Sequence, residues 1–161
     1  MKPLLTVIEK IENGGAFLAA LTLALMFLLG MAEIIMRSFF AASIPVSLEY
    51  SGYLVAFSFL MGAGWTLREG KQVRVSLINF PAKYQRSLEL LVTGIALMIA
   101  LLLAYGLVSW AFGSWMRGSV SYFPSATPLW IPQAILALGP VVLALSLIGR
   151  LIRLATGEEG S

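Results

Sequence analysis

Residues 49–81, EYSGYLVAFSFLMGAGWTLREGKQVRVSLINFP, decide how the chain is read. They open on Glu49, cross an apolar segment seeded with Gly, Ala and Ser, and break into Arg68, Glu69, Gly70, Lys71 and Arg74. Residues 50–67 carry no charge. At 1.5 Å per residue, a helix of about twenty residues matches a hydrocarbon core roughly 30 Å thick. The stretch therefore predicts a membrane helix followed by a basic loop.

Composition agrees. Of the 161 residues 59% are hydrophobic and 12% charged, about half the charged share of a soluble domain. The class predicted is an all-α integral membrane protein forming one membrane domain, 1–161. Outward from residues 49–67, further spans are predicted at about 15–36, 90–112 and 131–149. Residues 1–12 place Leu4, Ile8 and Ile11 on one helical face and predict a short amphipathic helix lying at the membrane surface. A cleaved signal peptide ending near Ala41-Ala42-Ser43 is the competing reading of the start. Early acids, a long apolar run, Glu33 and Arg37 argue against it. Pro140, inside the fourth span, predicts a kink, and residues 154–161 a flexible tail.

Four spans put both termini on one side, together with a basic loop at 68–89. That side collects Lys2, Lys10, Arg68, Lys71, Arg74, Lys83, Arg86, Arg150 and Arg153 of the 11 cations, leaving Arg37 and Arg117 opposite. The positive-inside rule then places both termini in the cytoplasm. Arg68, Lys71, Arg74, Lys83, Arg86, Arg150 and Arg153 are candidates for contact with lipid headgroups. The outward segments, 37–48 and 113–130, carry Arg37 and Arg117, and Glu49 stands at the outer start of the second helix; all three are candidates for docking a soluble partner. Trp115, Tyr122, Phe123 and Trp130 suit the headgroup layer or such a partner.

Little chemistry is available. The chain has no His and no Cys, which removes Ser–His and Cys–His nucleophilic sites and the usual zinc ligands. Its four lysines all fall at or beyond the cytoplasmic surface, away from any buried Ser. The expectation is no enzyme, and no metal or cofactor in this chain. The modest net charge of +3 suits anionic lipid better than nucleic acid. Glu33 is the one acid inside an apolar span, a functional candidate on that ground, but Arg37 follows at i+4 in the favourable acid-first order and reads as its ion-pair partner. If Glu33 instead lined a path, the chain would be a self-sufficient channel or exporter formed by homo-oligomerisation. On the second helix Gly52, Ala56, Ser58, Gly62 and Ala63 leave faces where another backbone can approach closely.

The run LMGAGWTLREGKQVRVSLI followed by Pro81, with an acid at the outer helix start, resembles the small membrane subunit of tripartite ATP-independent periplasmic (TRAP) transporters, the DctQ-like family. So do Pro128-Leu129-Trp130-Ile131-Pro132 and Gly139-Pro140. The resemblance covers nearly the whole chain. Where the family often has a His and, four residues on, an Asp, this chain has Gln72 and Ser76. The resemblance implies a bacterial or archaeal inner membrane and a large partner subunit carrying the substrate and sodium sites. It also implies a periplasmic binding protein delivering an organic acid, and for this subunit a scaffolding role.

Overall fold

The computed structural model describes residues 2–70 and 82–156. They form four helices: α1 (Lys2–Phe40), α2 (Ser47–Arg68), α3 (Ala82–Arg117) and α4 (Trp130–Thr156). Among the described residues there is no strand, only one isolated antiparallel bridge between Val120 and Pro128. Three helical stretches are long and apolar enough to cross a membrane: Leu5–Phe40, Gln85–Arg117 and Trp130–Thr156.

The helices overrun the predicted spans because an apolar run marks the hydrocarbon, not the end of the helix. Gln85, Arg86 and Glu89 are good helix formers and continue α3 beyond its apolar part. The largest departure is at the start. Residues 2–12 are not a separate surface helix but the first three turns of α1, whose 39 residues run without a break, about 58 Å at 1.5 Å per residue. Their packed face is also different from the predicted one. Ile8, Glu12, Gly15 and Ala19 are buried, at heptad-like spacing, while Ile11 is exposed.

Helix α4 is the centre of the bundle. It packs along α3 on one side and α2 on the other, and it also touches α1, which lies mainly on α2. The core is correspondingly lean: Leu67, Ala100, Ala144 and Leu147, with Ala96, Leu97 and Leu143 against them. Small residues let these backbones approach. A Cβ on Gly139 would overlap Leu60 Cβ and lie 3.0 Å from the Leu60 carbonyl carbon. A Cβ on Gly64 would lie 2.6 Å from Ser146 Oγ and 3.3 Å from Val142 Cγ1. In hydrocarbon, where no hydrophobic force drives helices together, such close contact is the main attraction between them.

Helix α2 carries Ser, Thr and Tyr side chains along its length. It lies between α1 and α4, so its polar side chains meet protein: Ser58 Oγ donates to the Ala19 carbonyl at 2.9 Å, and Tyr53 OH to Glu49 Oε1 at 2.8 Å. Pro140 is buried within α4. The start of α1 and the end of α4 lie at one end of the bundle, here called the terminal end; the connections 41–46 and 118–129 form the opposite loop end.

Candidate functional site: two polar ends on an apolar bundle

At the terminal end, cations predicted to face lipid turn inward. Arg68, at the last turn of α2, reaches back to α1. Its Nη1 lies 3.1 Å from Glu12 Oε2 and donates to the Glu9 carbonyl at 3.3 Å, and its Nη2 donates to Asn13 Oδ1 at 2.6 Å. Glu12 is fully enclosed, with 0% of its surface exposed. Arg153 of α4 lies 3.8 Å from Glu9, and Arg150 lies 3.7 Å from Glu89 of α3. Arg86 donates to the carbonyls of Leu154 and Ala155 at 3.1 and 2.9 Å, satisfying acceptors that the end of α4 leaves without intrahelical partners. Four guanidinium groups thus tie α1 to α2, α1 to α4 and α3 to α4. Lys71 and Arg74, with Gln72 and Ser76, lie outside the described residues, and so does the side chain of Lys83.

At the loop end, two carboxylates do corresponding work. Glu33 takes the predicted ion pair with Arg37 at 2.8 Å, but Oε1 also accepts from Ser43 Oγ at 2.7 Å and Oε2 from the Ile44 amide at 2.6 Å. The acid therefore folds the α1–α2 connection back on itself, beside Ala41 in the left-handed region at φ +48°. Arg37 keeps 71% of its side chain exposed.

The second connection starts where Gly118, at φ +60°, ends α3. Its amide bonds the Trp115 carbonyl and that of Ser119 the Ser114 carbonyl, the paired bonds of a Schellman motif, which favours glycine at this place. The chain then doubles back: the Ser121 amide donates to Thr127 O at 2.9 Å and the Leu129 amide to Ser119 O at 3.0 Å. Glu49 holds this loop from below. It was expected to face a docking partner, but it is only 5% exposed, and its oxygens accept from Tyr53 and Ser125. Tyr50 OH meets Thr127 Oγ1 at 3.2 Å. Above the clamp Tyr122 stands fully in solvent, and Arg117, Trp115 and Phe123 are exposed.

The residues between the two ends are apolar or small, and among the described residues no group of three or more acids could hold a metal ion. Such an architecture is held by its ends and packed by its middle. The family described as "Tripartite ATP-independent periplasmic transporters, DctQ component" matches residues 26–157. The chain belongs to the DctQ family. It is a small membrane subunit of a tripartite, multi-subunit transporter, and the resemblance read from the 49–81 stretch is confirmed. Comparison with curated proteins yields no match, and comparison with solved structures yields none.

Within this DctQ-family chain, the predicted packing residues divide. Ser58, Gly62 and Ala63 line a groove between α1 and α2, together with Ala16, Ala19 and Ala20, and Gly62 lies 3.6 Å from Ala19 Cβ by its would-be Cβ. Ala56 is half-buried, whereas Gly52 is exposed with nothing within 4 Å. The tight crossings belong instead to Gly15, Gly64 and Gly139. Gly64 and Gly139 carried a signal, since both stand in the quoted motifs, MGAG and Gly139-Pro140. Which neighbour each would meet was not in the spacing.

Proposed function

We propose that the chain is the non-catalytic small permease subunit of a TRAP-type secondary transporter importing an organic acid such as a dicarboxylate. In this reading α2 also crosses the membrane, giving four spans in a bacterial or archaeal inner membrane with both termini in the cytoplasm. The ion pairs at the terminal end do not weaken that orientation, because the positive-inside rule counts Lys and Arg and is not a net-charge rule. A large partner subunit carries the substrate and sodium sites, and this chain enlarges its membrane-embedded platform. The loop end, with Arg37, Arg117 and Tyr122, contributes to docking of the periplasmic substrate-binding protein.

The observation that carries this reading is where the charge lies. Every described acid on the helices is at one end or the other and has a protein partner there, so the middle of the bundle offers no row of polar groups for a solute. The rival reading, a homo-oligomeric channel lined by Glu33, needs that carboxylate facing a path. It is already used by Arg37, Ser43 and Ile44 in folding the hairpin. Affinity purification in mild detergent from cells co-expressing the operon neighbours is expected to bring down a much larger many-span subunit. A monodisperse homo-oligomer with no such companion would overturn the proposal.

A further inference from the structure

The α2 and α4 helices cross closely at Leu60 and Gly139, and a cleft opens between them toward the loop end. The wedge between them is a cleft of about 510 Å³, lined below by Leu54, Phe57, Ile131 and Ile135 and closed at its outer end by Tyr50, Tyr53, Ser125 and Thr127. From Tyr50 to Phe57 it runs roughly 10 Å along α2, most of one leaflet of a hydrocarbon core about 30 Å thick. It is apolar where a membrane is apolar and hydroxyl-lined at headgroup level.

The hydrogen bonds at the outer end have a direction. An ionised carboxylate only accepts, so the Ser125 hydroxyl donates to Glu49. With its one proton used, Ser125 Oγ accepts from Thr127 Oγ1 at 3.0 Å. Thr127, its proton used in turn, accepts from Tyr50 OH. Tyr53 OH also donates to Glu49. Every hydroxyl proton in this chain of bonds points back to Glu49. Ser125 Oγ is filled by the Thr127 hydroxyl and the Thr127 amide, whereas the Tyr50 and Thr127 oxygens keep a lone pair each for the cleft. Bonds aligned this way polarise one another. Among the described residues no Lys or Arg lines the cleft. Its polar end is therefore an acceptor surface backed by a buried negative charge, complementary to a cation that donates hydrogen bonds.

We propose that this cleft binds one phospholipid with a primary ammonium headgroup, of the ethanolamine type. One acyl chain lies in the wedge above the Leu60–Gly139 crossing, and the ammonium meets the oxygens of Tyr50 and Thr127. A helix of a partner subunit fits poorly: a helix with side chains is about 10 Å across, and bulky Tyr, Phe and Ile side chains line the cleft rather than the small residues that admit a second backbone.

The test is native mass spectrometry of the full chain, with the subunits that accompany it in detergent, after delipidation and titration with phosphatidylethanolamine or phosphatidylglycerol of matched acyl chains. One phosphatidylethanolamine is expected to bind about tenfold more tightly than phosphatidylglycerol, the effect of one charge-assisted hydrogen bond. Ile135→Trp, which fills the wedge, should abolish that binding, and Tyr50→Phe should reduce the preference. Equal affinity for the two lipids, or unchanged binding in Ile135→Trp, would overturn the assignment. A photo-crosslinking residue at Ile135, introduced in cells, decides independently of variant folding. A phospholipid adduct supports the proposal, whereas a crosslink to another membrane subunit assigns the cleft to that subunit and refutes it.

Discussion

Adding a single methyl group to Gly139 tests the packing scheme most sharply. A Cβ there would overlap Leu60 Cβ and press on the Leu60 carbonyl carbon at 3.0 Å. Part of that contact is backbone, which cannot turn away as a flexible side chain can, so α2 and α4 must separate along the crossing that also carries Gly64 against Ser146. Overpacking of this kind costs about 1–3 kcal/mol. Against it stands the gain of about 0.8–1 kcal/mol from replacing Gly by Ala inside a helix. Gly139→Ala should therefore be a net destabilisation of up to about 2 kcal/mol. Gly52→Ala is the matched control: nothing lies within 4 Å of its would-be Cβ, so only the helix-propensity gain remains. Thermal unfolding of the two purified variants in one detergent is the assay, with Gly139→Ala melting below the parent and Gly52→Ala at or above it. If Gly139→Ala were as harmless as Gly52→Ala, the claim that α2 and α4 are in backbone contact would fail.

Other outcomes follow from the polar ends. Glu12→Gln should destabilise the α1–α2 contact by about 1–3 kcal/mol, less than the loss from a fully enclosed pair because Arg68 keeps Asn13 and the Glu9 carbonyl. Unchanged detergent stability would show that the pair is dispensable. In Glu49→Gln the clamp on the second connection loses a charge-assisted acceptor, and amide hydrogen exchange over 119–129 should quicken about tenfold or more; unaltered exchange would mean that the loop is held by its own backbone bonds. Reversing the charge at Arg37 or Arg117 should slow association of the periplasmic binding protein at low salt and flatten its ionic-strength dependence. Identical kinetics in both variants would remove those cations from the docking surface.

What could be read from the residues beforehand is what depends on near neighbours in the chain. The apolar runs located all four helices, and Glu33 with Arg37 is a spacing of four on one helix face. Gly118 after Arg117 is also a local signal, a glycine placed to stop a helix. Interactions between distant positions were hidden. Glu12 and Arg68 are 56 residues apart, and no local pattern distinguishes an arginine that turns into the bundle from one that reaches for a headgroup. Glu49 and Ser125 lie 76 apart, so an acid at a helix start read as available when it is in fact enclosed. The packing of the first turns of α1 is hidden for a related reason. Their buried face includes Glu12, a charge that hydrophobic periodicity alone assigns to water, and only the arrival of Arg68 makes its burial tolerable.

Under the proposed function this chain supports a transporter without providing the path. Reconstitution measures that directly: uptake of a labelled organic acid into liposomes with a sodium gradient, for the chain alone, the large subunit alone, and the two together with the binding protein. Uptake only when all three components are present, and intact with Glu33→Gln at matched assembly, is the predicted result. Uptake by this chain alone, abolished by Glu33→Gln, would contradict it.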